Sequence, residues 1–500
     1  MGLLFCFSIY FIRKKCYTFL CVHFSPIKDN MMNFLKRFSG SKTNDMTVGN
    51  PTTTMLAFAL PIMISQIFQQ LYNTADTYIV GKYLGTDALS AVSSSGTLIF
   101  FLIGFFSGTA TGAGVVISRY FGANDKDRVS RAIHTDIVFG LICGTIVTAV
   151  GVTLTPTILK MMNIDEEIFP QAVEYFKYYF YGGIFLIMYN ICCGIMNAVG
   201  DSRRPLFYLI FSSLLNIALD LLFVGVFRFG VWSAALATVI SQAASVSLCF
   251  IHLMKKDHIY TVSIRKLKIH RDMIREIIRF GLPSGVQNSV IAVANVLVQS
   301  QINFFGKYAT GAYGIHAKIE GFAFVPINSF TAAISTFISQ NLGARKYDRA
   351  RKGARIGIIS CCIIAETVGI ICFTFSKTFV GFFDSNPEII KYGFMQDRSI
   401  TLFYFLLAFS HSIASVCRGA GKAFVPMFVM LGDWSAFRIL YIEVVMHLFE
   451  NIRLIYFAYP ITWFISSVIF CIYYFKSDWI HGFDTPPRKM NIRKARRTTC

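Results

Sequence analysis

Asp76 and Asp220 of this 500-residue chain stand inside long apolar stretches, where a charged side chain is unusual. Asp220 lies between two leucines, and Asp76 lies in a separate apolar stretch. Asn216 precedes Asp220 by four residues, so the two share one face of a helix, and Thr238 lies in a further apolar stretch. Carboxylate, amide and hydroxyl oxygens suit a hard cation, and two neighbouring carboxylates can instead share one proton. These residue types indicate a cation or proton site, with Asp76 and Asp220 as metal ligands if the ion is Na⁺.

The composition explains why such aspartates are informative. The chain is 54% apolar and only 15% charged, with a formal net charge of +20, 50 Phe and 23 Tyr. A soluble domain carries roughly 25% charged residues, and a disordered chain has few aromatic residues. A nucleic-acid-binding protein would display its basic charge on a polar domain, and no stretch of this sequence is long and polar enough to form one. The sequence therefore predicts a polytopic membrane protein.

Twelve apolar stretches are long enough to cross the hydrocarbon core, which takes about 20 helical residues each. They lie near residues 55–80, 91–117, 132–155, 172–197, 205–227, 231–254, 280–304, 311–338, 354–376, 397–417, 424–448 and 455–475. Together they use most of the chain, so we predict an all-α polytopic membrane protein with twelve transmembrane helices.

The charges of the connecting segments predict the orientation of these helices. Segments on the side of the two termini hold 36 Lys and Arg residues, and segments on the other side hold 7. Because cytoplasmic loops are enriched in Lys and Arg, we expect a multi-pass protein of the cell inner (plasma) membrane with both termini in the cytoplasm.

The expected organisation is two lobes with terminal extensions. It comprises a cytoplasmic extension (1–50), an N-lobe with spans one to six (51–257), a cytoplasmic linker (258–279), a C-lobe with spans seven to twelve (280–476) and a basic tail (477–500). The apolar run at the very start is too short to span and precedes its positive charges, unlike a signal peptide. We therefore expect the working start at Met31 or Met32, with an interfacial amphipathic segment as the alternative.

The two lobes repeat each other in sequence. Ile117–Ala123 matches Ile338–Ala344 at an offset of 221 residues, and further matches recur at nearly the same offset. Since each repeat holds an even number of spans, both halves enter the membrane from the same side, and a substrate site is expected between them. The sequence contains no G-x-x-x-x-G-K-[ST] phosphate loop, so we expect an ion gradient rather than ATP to supply the energy.

An ordered set of motifs resembles the multidrug and toxic compound extrusion (MATE) family in its prokaryotic branch. These motifs are Leu60-Pro61, Tyr72–Thr77, Val80-Gly81, Asn197–Asp201, Asn216–Asp220, Gln340–Ala344, Arg418–Lys422 and Tyr459–Trp463. The resemblance implies two pseudo-symmetric six-helix bundles in a V shape. It also implies a transporter rather than an enzyme, namely a cation-coupled antiporter that exports amphipathic, often cationic drugs or toxic metabolites by alternating access.

The resemblance also carries over site residues of the N-lobe. Its cation site matches Asp76, Asn216, Asp220 and Thr238, and polar residues lining the cavity match Tyr72, Tyr175 and Asn190. The alternative for Asp220 is a structural acid that Asn216 or the backbone satisfies. For Asp76 it is a charge at a helix end, and for the two tyrosines it is interfacial or packing contacts.

In the C-lobe, Gln287 and Asn288 of the seventh span are further candidates for substrate binding. Lys318 and Glu320 could face the same cleft, whereas we expect Arg438 to pair with a carboxylate in a structural role. Some members of the family carry acids in the seventh and tenth spans. Here the tenth span, placed at 397–417, has His411 but no acid in its interior, so the resemblance does not carry a C-lobe coupling site over to this chain.

The expected ligands follow from this interpretation. We expect a functional monomer that binds a small-molecule drug or metabolite and membrane lipids, with no nucleic acid and no cofactor besides the coupling ion, Na⁺ or H⁺. Asn216 and Thr238 favour Na⁺, because a proton needs no further oxygen ligands. The alternative function is a flippase of related fold for lipid-linked oligosaccharide or peptidoglycan precursors. Such a protein needs a cationic cleft for pyrophosphate, whereas the N-lobe here carries Asp76 and Asp220.

Overall fold

The computed structural model describes residues 45–161, 166–255 and 259–483, and all regular elements in these ranges are helices. The N-terminal half contains α1 (Pro51–Leu84), α2 (Thr86–Gly122), α3 (Lys126–Met161), α4 (Phe169–Tyr181), α5 (Gly183–Ala198), α6 (Arg203–Asp220) and α7 (Trp232–Leu253). The C-terminal half contains α8 (Arg271–Asn303), α9 (Lys307–Gly343), α10 (Tyr347–Phe383), α11 (Pro387–Ile400), α12 (Tyr404–Gly419), α13 (Phe424–Met430), α14 (Arg438–Phe449) and α15 (Ile452–Lys476). The predicted fold class is confirmed.

Each predicted span corresponds to one helix or to one interrupted helix. α4 and α5 form the fourth span with a bend of 45° between them, and α11 and α12 form the tenth around the 3₁₀ turn Thr401–Phe403. In the fifth span α6 continues into the π-helical segment Leu221–Val226, and in the eleventh Leu431–Phe437 joins α13 to α14. By length and composition, nine of the described helices qualify as membrane spans, and ten if the bent pair counts as one.

The sequence repeat has a counterpart in three dimensions. The Ser118 hydroxyl donates to the carbonyl of Ala198 at 2.9 Å, and the equivalent Ser339 hydroxyl donates to Gly419 at 2.8 Å. Backbone positions with positive φ also recur at the offset of 221, as the pairs Gly85 and Gly306, Asn124 and Arg345, and Gly200 and Gly421. The two halves therefore share local structure as well as sequence.

The lobes meet through α2 of the N-lobe and α8 of the C-lobe, which pack more extensively than any other described helix pair. Gly112 lies directly against the backbone of Gly281, and Gly108 against Gly285, so that any side chain at these positions would overlap the other helix. Asn288 extends the contact by donating to the Gly104 carbonyl at 3.1 Å. Small residues thus allow two long helices to cross at backbone contact.

A second contact lies on the side of the molecule where both described ends of the chain lie. We call this side, which carries residues 45–50, 123–125, 344–346 and 477–483, the terminal face. Here Gly122 at the end of α2 lies against the carbonyl of Gln340, and the equivalent Gly343 lies against the carbonyl of Arg119. The described lobe contacts therefore run from the terminal face to about the middle of the helices.

The segment before each lobe docks on the opposite lobe. Met46, which precedes α1, is fully buried, and its amide donates to the Gln340 side chain at 3.1 Å. In the linker before α8, the amide of Ser263 donates to His134 of α3 at 3.0 Å. α8 begins at Arg271, within the segment predicted as linker. The expectations for the working start at Met31 or Met32 and for most of the basic tail fall outside the described residues.

Candidate functional site

The structure brings the two predicted N-lobe aspartates together. α1 presents Asp76, and α6 presents Asp220 directly before its π-helical segment. The two carboxyl groups lie close enough to interact electrostatically. Asp220 is fully buried, and no donor among the described residues reaches either of its carboxylate oxygens or the buried Oδ1 of Asp76. A buried carboxylate without a donor is costly, so the pair fits a bound cation or a shared proton.

Asn216 and Thr238 complete the predicted group. The Asn216 side chain donates to the Thr238 hydroxyl at 3.3 Å, which joins α6 to α7. The Oδ1 atom of Asn216 is buried and has no hydrogen-bond partner within the described residues. Asn216 lies one turn before Asp220 on the same face of α6, and carboxylate, amide and hydroxyl oxygens are the ligands that a hard cation prefers. The donor set suits Na⁺ or a proton.

Aromatic side chains lie next to this pair of acids. Tyr72 lies one turn before Asp76 on α1, and Tyr175 of α4 lies close to both aspartates. The ring of Tyr175 stacks on that of Tyr179 with centroids 6.2 Å apart. Tyr179 is not among the predicted site residues, although its spacing of four residues from Tyr175 on one helix places both rings on the same helix face. Tyr175 is only 4% exposed, so packing accounts for most of its surface in this conformation.

The other predicted substrate-binding residues have their own partners. The side chain of Asn190 donates to the Leu186 carbonyl of its own helix at 2.9 Å. Gln287 is buried, and its amide lies 2.9 Å from the sulfur of Met430, while Asn288 bonds Gly104 across the lobe contact. None of these three hydrogen bonds therefore involves the group formed by Asp76, Asn216, Asp220 and Thr238.

A second buried polar cluster occupies the C-lobe. The Nδ1 atom of His316 on α9 lies 2.6 Å from Oδ1 of Asp397, and the Ser376 hydroxyl donates to Oδ2 at 2.5 Å. Both His316 and Asp397 are buried. The expectation of no acid inside the tenth span is wrong, because α11 begins at Pro387 and carries Asp397 into the interior. Asn386, whose side chain accepts from the amide of Glu388, and Pro387 were the available sequence signals for that helix start.

The buried side chain of Arg438 forms no ion pair with a carboxylate of the described residues. It is buried, donates to the Thr462 hydroxyl at 2.8 Å and lies 4.5 Å from the centre of the Tyr459 ring. Among the described residues no carboxylate lies within 4 Å of its guanidinium. The expected carboxylate pairing is therefore wrong, and aromatic faces stabilise this cation instead. Glu320 lies near His316 and Arg438, and the exposed Lys318 lies over the ring of Phe383.

The C-lobe cluster supports a prediction about stability. Replacing Asp397 by alanine is expected to destabilise the protein by about 3–5 kcal/mol, because breaking a buried pair leaves its partner uncompensated. Thermal unfolding of the purified protein in detergent measures the effect. The exposed Asp348 provides a matched control, and Asp348→Ala should leave the unfolding midpoint unchanged. An Asp397→Ala variant as stable as that control would contradict the structural role.

Comparison with known proteins relates this architecture to a family. The family model described as MatE matches twice, over residues 61–222 and 283–442, which corresponds to one match in each half. The probable multidrug resistance protein YoeA of Bacillus subtilis is 29% identical over 386 residues, with 76% of this chain and 83% of that protein covered. The multidrug export protein MepA of Staphylococcus aureus is 26% identical over 337 residues, with 67% and 74% covered.

Solved structures show the same fold. A multidrug resistance MATE family transporter of the MOP superfamily, solved in an outward-facing conformation, superposes with a TM-score of 0.82 at 21% identity, covering 89% of this chain and 99% of that one. A MOP superfamily transporter from Pyrococcus furiosus, for which a binding pocket of reversed polarity suggests a different function, gives a TM-score of 0.82 at 21% identity over 87% and 97%. At these identities the comparison concerns the fold alone.

Proposed function

Because this chain belongs to the MatE family of multidrug and toxic compound extrusion transporters, we propose that it exports amphipathic, often cationic small molecules in exchange for an inward-moving cation. The observation that supports this proposal is the pair Asp76 and Asp220, in which no donor among the described residues reaches the buried Oδ1 of Asp76 or either carboxylate oxygen of Asp220. An ionised carboxylate inside a membrane-spanning bundle costs several kcal/mol of free energy unless a bound cation or a proton compensates its charge. The coupling ion is Na⁺ or H⁺.

The charge asymmetry of the loops supports an orientation for this activity. In the sequence, the segments on the side of the two termini hold 36 Lys and Arg residues against 7 on the other side, which favours a cytoplasmic terminal face in the plasma membrane. The lobes then contact each other on the cytoplasmic side. In an alternating-access cycle this is the outward-facing conformation, in which a cation from outside reaches the N-lobe.

In the proposed cycle, cation binding neutralises Asp76 and Asp220 while the substrate leaves to the outside. The lobes then rock, the cation leaves to the cytoplasm, and a new substrate binds. One charge moving through 100 mV supplies about 2.3 kcal/mol, and a tenfold ion gradient adds about 1.4 kcal/mol. Export of a monovalent cation would consume most of the voltage contribution. We therefore propose either two coupling ions per cycle or a neutral substrate.

Purified protein in liposomes tests this function directly. A cationic dye should be exported when a Na⁺ gradient or a pH gradient is imposed, and the gradient that drives export identifies the ion. Protein-free liposomes and collapsed gradients are the controls. Failure of both gradients to drive any dye or drug, together with translocation of a pyrophosphate-linked lipid, would instead favour the flippase function.

A further inference from the structure

The terminal face contains a cavity of about 970 Å³ at the meeting point of the two lobes. The end of α2 and the α2–α3 loop line one side with residues 119–125, and the equivalent end of α9 and α9–α10 loop line the other with residues 342–346. Asp45, Thr47 and Phe483 contribute from the segments before α1 and after α15. Because both lobes supply its walls, the cavity depends on their contact at this face. Its volume lies within the range typical of small-molecule sites.

The charged residues of this cavity are predominantly basic. Its lining includes Arg119, Arg128, Arg345 and Lys346, against the acids Asp45 and Asp125. Basic residues are common on a cytoplasmic face, but here they converge from both lobes onto one concave surface. The sequence on either side of the described residues is also rich in Lys and Arg, with seven such residues in 1–44 and six in 484–500.

One of these cations is held in place. The guanidinium of Arg119 lies 4.2 Å from the centre of the Phe483 ring and donates to the Phe483 carbonyl at 3.4 Å. Its ion pair with Glu276 is long, at 3.9 Å. A planar guanidinium fixed by stacking retains donors that suit phosphate oxygens.

The two equivalent loops differ in charge at two positions, where Asn124 and Asp125 of the N-lobe correspond to Arg345 and Lys346 of the C-lobe. In the N-lobe, the carboxylate of Asp125 accepts from the amide of Arg128 at 3.0 Å at the start of α3. The equivalent residue in the C-lobe is Lys346, which makes no side-chain cap to α10 and donates instead to the Thr47 carbonyl at 2.9 Å. Next to it is the exposed Arg345, for which the described residues supply no ion pair. The N-lobe loop therefore carries the acid Asp125, whereas the C-lobe loop carries the two cations Arg345 and Lys346.

We propose that this cavity binds a phosphate-bearing anion and that the bound anion favours the conformation in which the lobes touch at the terminal face. The anion would bridge Arg119 of the N-lobe with Arg345 of the C-lobe. A ligand shifts a conformational equilibrium by its difference in affinity between the two states, and separation of the lobes would remove one wall of this site. The shared chemistry is the phosphate group, supplied either by a soluble compound or by an anionic lipid headgroup.

Calorimetric titration of the purified full-length protein with pyrophosphate, in detergent, tests the site. The test variant is Arg345→Asn, because Asn124 occupies the equivalent left-handed position in the N-lobe and the backbone should be preserved. We expect pyrophosphate to bind and this variant to weaken binding roughly tenfold, since it removes a charge-assisted contact. The control is Arg265→Asn, which removes the same charge from an exposed linker residue outside the cavity. No binding, or equal weakening by the two variants, would overturn the proposal.

A second comparison identifies the source of the phosphate group. The same titration is performed in nanodiscs of phosphatidylcholine and of phosphatidylglycerol. If the lipid headgroup is the ligand, phosphatidylglycerol should reduce the apparent affinity for pyrophosphate in the wild type but not in Arg345→Asn. Equal affinity in both lipids identifies a soluble anion. Either result supports the site, whereas a lipid effect of the same size in both proteins would contradict a headgroup bound at Arg345.

Discussion

Replacing Asp220 by asparagine is expected to abolish ion-driven export while the protein still inserts and folds. The amide has nearly the same shape, but it carries no charge for a cation and cannot take up a proton in exchange. Charge-assisted contacts contribute about 1.5–3 kcal/mol each, so the affinity for the coupling ion should fall roughly ten- to a hundredfold. The position is sensitive because Asp220 is fully buried beside Asp76, where water cannot substitute for the lost contacts.

Dye efflux from liposomes under the driving gradient measures this effect, with thermal unfolding as the check on folding. Asp87, exposed in the first turn of α2, provides a matched control, and Asp87→Asn should transport normally. Asp76→Asn should resemble Asp220→Asn, since the two carboxyl groups act on one ion. Normal ion-driven efflux by Asp220→Asn would remove this pair from the coupling mechanism.

The N-lobe site was accessible to sequence reasoning because its signals are local. Acids in apolar stretches stand out against a membrane background, and the spacing of Asn216 and Asp220 places both on one helix face. Apolar length was also sufficient to predict twelve spans. The pairing of Asp76 with Asp220 depended on residue type and on the resemblance to a family, because α1 and α6 are far apart in sequence and no local spacing relates the two acids.

The C-lobe cluster shows where this reasoning failed. A hydropathy window ends a span where polar residues begin, and Gln396 and Asp397 therefore marked an apparent boundary at the tenth span. In the structure α11 starts ten residues earlier, and the polar pair lies inside the lobe. His316 could not be identified as the partner of Asp397, because it lies 81 residues away on α9. A buried polar group is visible in sequence only when its helix boundaries are placed correctly.

The contact between the two lobes could not be predicted from the sequence either. Glycine is frequent in this chain, with 36 residues, and no local pattern distinguishes those at a helix crossing. Gly112 and Gly114 lie two residues apart on α2, yet only Gly112 lies against the backbone of Gly281. A helix presents such neighbours to different sides, about 200° apart at 3.6 residues per turn, so the crossing depends on how α2 is rotated against α8.

The different surroundings of Gly112 and Gly114 provide the second prediction. Gly112→Ala should shift the conformational equilibrium away from the state with the lobes in contact and strongly reduce export. The added methyl group overlaps the backbone of Gly281 and Phe280, which cannot move aside as a flexible side chain would. Overpacking costs about 1–3 kcal/mol, and an equilibrium between two lobe arrangements then shifts roughly ten- to a hundredfold. Relief of the overlap requires the lobes to separate where α2 crosses α8.

The distance between probes at Asp127 and Asp348, the exposed equivalent positions of the two lobes, measures this shift. Noncanonical amino acids would carry the probes, because the chain contains 13 cysteines. Gly112→Ala should lengthen the distance and lower dye efflux together. Gly114→Ala is the matched control on the same helix, since its methyl group would meet only a carbonyl at 3.9 Å, and it should change neither quantity. A shorter or unchanged distance in Gly112→Ala would show that this contact does not control which lobe arrangement is populated.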